Sequence, residues 1–442
     1  MPDSSPTGAV LIIGGGAAGV SAALGLAEAG LGVYLVERAA EIGGVAGKLE
    51  RTFPTPKCQL TVTCLGAPRG GGWQAERTAL ETGFGSTHVS ACLYCCTTPR
   101  LVDCRAHPAV EVMTETVVAG INGQAGNFVV ELDRDGRQIE ISVGAIVVAP
   151  GFSVFDPGCA PGIYGYGRLP NVITSLEHED RSKLFGLDLG VVRRPSDDRP
   201  AEKIAWLQCV GSRDINACDN PYCSTICCMA AVKEATTVRQ RAAGRGDDVD
   251  CAVFYMDQRA QGKGAERSFR AARDQFGVRF IHARVHGLEA ADGDRIKIVW
   301  AEDDGRVLSD EFDLVVLSVG LHPDPGTADL AAKLGVEVDE AGFIVTQAGG
   351  GAATSREGIY ACGAAVEPKD ISGAVVEALA AAGAATLDLN QARDRTEPQS
   401  PDPGDGEPRI AVLVETGGEV LDHQALAGFA ASLPGVVAAE TS

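Results

Sequence analysis

The sequence predicts an α/β fold of two doubly wound domains, the second inserted in the first. Three observations predict it. A strand, a Gly-rich loop, a helix and a second strand follow one another over residues 10–37. Segments that read as parts of the same domain return near residues 149 and 363. Between them, strands and helices alternate again over about 200 to 315. A chain of 442 residues, 45% hydrophobic and 22% charged, has room for two or three domains with a real core.

The first unit opens with Val10 to Ile13, a short buried strand by composition. Gly14, Gly15, Gly16, Ala17, Ala18 and Gly19 then spell G-x-G-x-x-G. Ala18 to Gly30 is Ala- and Leu-rich with a helical pattern, and Gly32 to Val36 is the next strand. Glu37, followed by Arg38, lies 18 residues past Gly19, the distance at which an acid accepts hydrogen bonds from a ribose. A lone G-x-G-x-x-G would also suit a tight turn in any α/β domain; the complete unit reads as a dinucleotide site. FAD fits better than NAD. Gly43-Gly44 soon after Glu37 resembles the flavoprotein pattern E-x5-G-G. Ala145 to Val148 followed by Ala149-Pro150-Gly151 resembles the returning strand and turn of flavoproteins with two dinucleotide-binding domains. Residues 358–363 (G-I-Y-A-C-G) resemble their late flavin motif. Where those proteins place an Asp, this chain has Ala364, so a ribitol contact there would fall to backbone or water.

The second unit reads as strand (Lys203–Val210), helix (Met229–Arg239), strand (Ala252–Met256), helix (Glu266–Phe276) and strand (Val278–His282). The hairpin-like strands Arg295–Ala301 and Arg306–Leu308 follow, then Asp313–Val319. A phosphate-cradling loop belongs between its first strand and helix. Cysteines stand there instead: Cys209, Cys218, Cys223, Cys227 and Cys228. Thiolates bind soft metals and iron–sulfur clusters, not pyrophosphate. Four thiolates satisfy a [4Fe–4S] cubane, with zinc as the rival. Adjacent Cys227 and Cys228 cannot point the same way on a regular helix, which predicts an irregular backbone there.

With these residues quoted, the chain resembles the A-type subunits of heterodisulfide reductase and their relatives, including bacterial sulfur-oxidising versions. Gly14–Gly19, Thr52-Phe53-Pro54-Thr55, the C-x13-C-x3-C-C stretch beside Gly211-Ser212-Arg213-Asp214, and Pro368-Lys369-Asp370-Ile371 carry the resemblance, over roughly residues 8 to 390. It implies a thioredoxin-reductase-like flavoprotein fold. It also implies that Cys209, Cys223, Cys227 and Cys228 ligate an unconventional [4Fe–4S] cluster near the flavin, with Cys218 a spare. Lys233, five positions after Cys228, matches a lysine that the family places near the flavin ring; the alternative is a solvated helix residue. The C-x2-C-x2-C-x3-C-P inserts of large members are absent, marking a short form. Lys369, Asp370 and Ile371 join the expected cofactor-binding residues.

Six cysteines lie within 47 residues: Cys58, Cys64, Cys92, Cys95, Cys96 and Cys104. They predict a second cluster, with Cys58, Cys64, Cys92 and Cys95 as its candidate ligands. Structural thiols, or a redox pair of Cys92 and Cys95, are the alternatives. Cys159, Cys251 and Cys362 read as buried or incidental. The expected domains are 8–199, an FAD-binding first part carrying a Cys-rich insert at 56–104; 200–315, the inserted module; and 316–392, the second FAD-binding part. A linker at 393–408 leads to a βα tail at 409–442, with strands Arg409–Val414 and Gly435–Ala439 about a helix His423–Leu433.

A formal charge of −21 argues against nucleic acid or an anionic membrane as partner. Residues 1–7 lack signal-peptide character, and Ile371 to Leu389, Ala-rich with Gly and Glu, reads as a buried helix and not a membrane span. Fourteen cysteines then point to metal or redox chemistry in the cytoplasm. The expected function is an FAD and [4Fe–4S] electron-transfer component of a heterodisulfide-reductase-like complex, homodimeric through the apolar helix Ala374–Ala385, partnered by B- and C-type subunits or other electron carriers. The alternatives are a free-standing NAD(P)H-dependent disulfide reductase using Cys92 and Cys95, and a scaffold with a structural flavin and cluster.

Overall fold

The structure is a computed structural model describing residues 8–49, 53, 98–182, 190–285, 287–347, 351–396, 410–414 and 436–441. The chain divides into two compact units, Met1–Asn390 and Gln391–Ser442.

In the first unit, β1 (Ala9–Ile13) leads into α1 (Ala17–Glu28) and returns as β2 (Gly32–Val36). β3 (Val110–Met113) and β4 (Ala145–Val148) extend this sheet, and β10 (Ile359–Ala361) completes it in the order β10-β4-β1-β2-β3, with every pairing parallel. Because the sheet is covered on both faces, β1 is apolar throughout. Val10 and Ile12 pack with Ala22 and Leu26 of α1 and with Ala378, Ala381 and Ala385 of the helix Ile371–Thr396. Leu11 and Ile13 face Phe128, Val130 and Leu132, in a three-stranded antiparallel sheet (Thr116–Gln124, Asn127–Arg134, Arg137–Val143). The helix segment Ile371–Asn390 is long and apolar enough to cross a membrane, but Ala378, Ala382 and Leu389 are core residues of this domain.

The second sheet comprises β5 (Val172–Thr174), β6 (Lys203–Val210), β7 (Asp250–Tyr255), β8 (Arg279–His282) and β9 (Leu314–Val319), ordered β8-β7-β6-β9-β5 and again parallel. α2 (Ser175–Ser182), α3 (Cys227–Arg245) and α4 (Lys263–Asp274) accompany it. A three-stranded antiparallel sheet adds Leu288–Ala290, Ile296–Ala301 and Val307–Phe312. The chain crosses between the two sheets twice, and the crossing strands Phe152–Val154 and Leu321–Pro323 pair with each other, antiparallel. The insertion therefore begins earlier than the expected residue 200: β5 closes the sheet's edge beside β9. A three-residue strand carries no readable alternation.

The second unit holds β11 (Ile410–Val414) and β12 (Val436–Thr441), paired in parallel. The expected tail helix His423–Leu433 lies outside the described residues. The expected linker start at 393 is displaced, because the preceding helix runs to Thr396.

Candidate functional site

Four turns gather at the C-terminal edge of the first sheet, where α/β folds bind ligands. Gly14 follows β1 at φ 108°, and a Cβ there would sit 2.2 Å from the Ala149 carbonyl oxygen. Only glycine lets these two turns touch. A Cβ on Gly16 would meet nothing within 4 Å, so the space before α1 is open. Gly16 caps α1 without a side-chain hydrogen bond, and the first turn, Ala17 and Ala18 included, carries no acid. That leaves backbone N–H groups and the positive helix end for an anion. Gly43 donates to the Gly15 carbonyl at 2.7 Å, and Gly44 lies against Gly16. Glu37 accepts from Gly15 N at 2.7 Å and Ala39 N at 2.8 Å, which fixes its carboxylate at the loop with lone pairs to spare. Arg38 makes a bidentate pair with the buried Asp324, at 2.9 and 2.5 Å. Ala149 N donates to Ile13 O at 2.8 Å, and Pro150 and Gly151 continue that turn.

Gly363 and Ala364 follow β10; a Cβ on Gly363 would press on Ala18 at 2.8 Å. Glu377 accepts from Gly363 N at 3.0 Å with one oxygen and from the Lys369 ammonium with the other. Asp370 caps the helix that starts at Ile371, accepting from Gly373 N at 2.7 Å. Sequence reasoning missed Glu377, one of many acids on a helix. The Gly16 space, the helix end and the Glu37 carboxylate fit a dinucleotide.

The thiol-lined turn lies at the same edge of the second sheet. Cys209 sits in an irregularity of β6, where the register with β9 shifts between Leu207 and Val210, at φ 59°. Arg213, Asp219 and Thr225 are also left-handed, so four of the eight described non-glycine residues with positive φ fall within 17 positions. Such strain persists only where surrounding contacts enforce it, and it concentrates at functional sites. The enforcing contacts are polar, and most of them are buried. Ser212 bonds Ser224; Ser224 Oγ also accepts from Leu321 N at 2.8 Å. Asn220 Nδ2 donates to Gly211 O at 2.9 Å. Arg284 pairs with Asp214 at 2.6 Å.

Cys227 and Cys228 open α3 as regular helix, contrary to the expected irregularity at that pair. The departure is upstream, at Thr225, with φ 61°. Their thiols diverge across the sheet: Cys227 Sγ reaches Val319 O at the end of β9 at 3.7 Å, and Cys228 Sγ reaches Asp257 O beyond β7 at 3.6 Å. Thr225 N donates to Cys223 Sγ at 3.3 Å. Burial pushes the Cys209 thiol up to about 11, aided by Cys228 and Cys223 and opposed by Arg213. Burial likewise raises Cys227, with the other three cysteines adding, and it raises Cys228. Burial keeps Cys209, Cys227 and Cys228 as neutral thiols, and a bound metal's charge would ionise them. Among the described residues, only His178, Glu179 and Glu234 place three ligand atoms within 4.8 Å of one another. Tetrahedral zinc, with bonds of about 2.3 Å, needs sulfurs about 3.8 Å apart. An all-thiol donor set also suits an iron–sulfur cluster. Cys218 turns elsewhere, 3.9 Å from the Tyr164 hydroxyl. A cavity of about 280 Å³ opens beside Cys209, between Tyr164, Gln208, Asp214, Tyr255 and Arg284.

Lys233 on α3 is buried against Glu179 of α2, each side chain 8% exposed, which overturns the solvated-helix alternative. Cys104 is fully buried in the core under α1. Cys251 and Cys362 are buried as expected; Cys159 is exposed. Cys58, Cys64, Cys92 and Cys95 lie outside the described residues.

The paired sheets and the glycine cradle define a two-domain dinucleotide-binding oxidoreductase, and the family match agrees. The pyridine nucleotide-disulphide oxidoreductase family matches residues 8–189 and 244–382, and the chain belongs to it. Its curated relatives carry the name read from the cysteine motif. The chain is 34% identical to the iron–sulfur A subunit of the CoB–CoM heterodisulfide reductase of Methanocaldococcus jannaschii, over 88% of this chain and 65% of that one. It is 28% identical to the A subunit of the H2:CoB–CoM heterodisulfide,ferredoxin reductase of Methanothermobacter marburgensis, with the same coverage. The chain thus spans 65% of the length of these relatives. The thioredoxin reductase of T. acidophilum aligns with 86% of the chain and 97% of its own at 18% identity and a TM-score of 0.49.

Proposed function

We propose that the chain is an FAD- and [4Fe–4S]-containing electron-transfer component of a heterodisulfide-reductase-like assembly. One observation carries the reading. The family match stops at residue 189 and resumes at 244, and the unmatched stretch contains β6, the four-cysteine turn and the start of α3. The oxidoreductase frame is kept on both sides, and the part that would hold nicotinamide phosphates is replaced by thiols. Bound flavin would couple two-electron to one-electron chemistry, and a cluster moves single electrons.

This chain's residues have definite tasks in that reading. The Gly14–Gly19 loop and the end of α1 hold the pyrophosphate. Glu37 takes the ribose, and Glu377 with Lys369 holds the Gly363–Ala364 turn in place. Cys209, Cys223, Cys227 and Cys228 ligate the cluster, and Ser212, Asn220 and Ser224 keep their loop shut to water. Lys233 would stand near the flavin, its charge offset by its buried partner Glu179. Cys58, Cys64, Cys92 and Cys95 are proposed ligands of a second cluster. The exposed Val376 and Leu387 on the late helix, 62% exposed each, support a homodimer. Disulfide chemistry would then fall to partners of the B and C kind, in the cytoplasm.

The deciding experiment is Cys227→Ala with anaerobic iron analysis and low-temperature EPR of the reduced protein. Loss of about four iron atoms and of the reduced-cluster signal is expected. Unchanged iron and spectrum, or stoichiometric zinc in the wild type, would refute the assignment.

A further inference from the structure

Asp257 lies two residues beyond the end of β7. In a nucleotide-binding unit of this topology, an acid at that point reads a ribose hydroxyl. Here its carboxylate holds two arginines instead. Arg213 donates to Oδ1, and Arg259 Nε donates to Oδ2 at 3.1 Å. Both guanidinium charges also act on the thiols: Arg213 on Cys209, and Arg259 on Cys223. The Asp257 main-chain carbonyl accepts from Cys228 Sγ at 3.6 Å. One residue just past β7 thus holds both arginines beside the thiol-lined turn and itself meets Cys228. Arg213 adopts φ 56° to take part, a strained backbone that an ordinary surface arginine would not need.

We propose that Arg213 and Arg259, clamped by Asp257, are positioning residues that hold a net positive charge beside the cysteine-ligated cluster, raising its reduction potential. The inference rests on the cluster assignment above. Reduction adds negative charge to a cluster and its thiolates. Nearby positive charge stabilises that state more than the oxidised one. Asp257 offsets one of the two guanidinium charges, so the triad carries one net positive charge.

The test is an EPR-monitored redox titration of anaerobically purified full-length protein, with iron counted on the same samples. R213Q and R259Q are expected to keep wild-type iron and to titrate at lower potential, the double variant lowest. R259K, which keeps the charge, is expected to return toward the wild type. Gln variants that load iron and titrate at the wild-type potential would overturn the inference. An iron-free wild type would instead refute the cluster assignment. Should a Gln variant fail to load, wild-type protein labelled with 15N-arginine decides the matter. Pulsed EPR of its reduced cluster is expected to show coupling to guanidinium nitrogen, and absence of that coupling overturns the inference.

Discussion

Gly16 and Gly211 are glycines kept for opposite reasons. A Cβ at Gly16 meets nothing within 4 Å, so Gly16→Val has room to fold, and its methyl groups occupy the approach to the α1 N-terminus. That variant is expected to keep the thermal midpoint of the flavin-free protein and to bind no flavin, read as absorbance after gel filtration; normal flavin content would count against the cradle. At Gly211 a Cβ would lie 2.0 Å from Phe155 Cγ, and φ is 74°. Gly211→Ala is therefore expected to cost about 3 kcal/mol or more in chemical denaturation, from strain and overpacking together. It should also loosen the cysteine turn, because Asn220 and His322 both bond to the Gly211 carbonyl. The G-S-R-D sequence was legible as a motif. Its partners Ser224, Asp257 and Arg284 were not, since each lies on a different turn.

Between α2, α3 and β6 a cluster of ionisable groups is sealed into the core. Glu234 accepts from Trp206 Nε1 at 2.8 Å, His178 Nδ1 lies 3.6 Å from Glu234, and Lys233 pairs with Glu179. Burial pushes Glu234 up to about 8 from 4.5, opposed by Lys233 and reinforced by Glu179. Burial drives His178 down to about 3 from 6.5, with the charges of Lys233 and Arg241 adding. The signs differ. Glu234 is raised, so its contribution to stability is complete below 4.5 and is lost as pH rises to about 8. His178 is lowered, so its contribution is complete above 6.5 and is lost as pH falls toward about 3. Between 4.5 and 6.5 the two slopes oppose each other, leaving Glu234 alone above that window. Thermal midpoints measured across pH are expected to fall more steeply from 6.5 to 8 in the wild type than in Glu234→Gln. Parallel curves would show that Glu234 ionises as it does in the unfolded chain.

The two domains share a plan and differ at one turn. Each presents the C-terminal edge of a parallel sheet; one edge offers glycines and a helix end, and the other offers thiols. Since the second turn lacks a phosphate cradle, the isolated protein is expected not to oxidise NADH or NADPH at ordinary turnover rates. Saturable bleaching of the flavin by either would overturn this and favour the disulfide-reductase alternative. The antiparallel pair Phe152–Val154 and Leu321–Pro323 ties both crossings together, and Arg38–Asp324 ties the ribose-side loop of the first domain to the residue just past that pair.

Local chemistry explains what could be read from residues alone. A Gly-rich loop between strand and helix, an acid 18 positions on, and five cysteines in place of a second such loop are short-range patterns, each tied to one physical demand. Periodicity placed β1, α1, β2 and most of the second sheet within a few residues. The strand β5, the clamp at Asp257, the Glu377–Lys369 brace and the sealed His178–Glu234 cluster came from folding. Most of their partners stand well apart in the chain, Lys369–Glu377 by 8 positions and Arg213–Asp257 by 44. Pairings over such intervals leave no period in a sequence. They form only when the sheets bring strand ends together, because desolvation then makes each charge and each thiol depend on whichever neighbour the fold has placed against it.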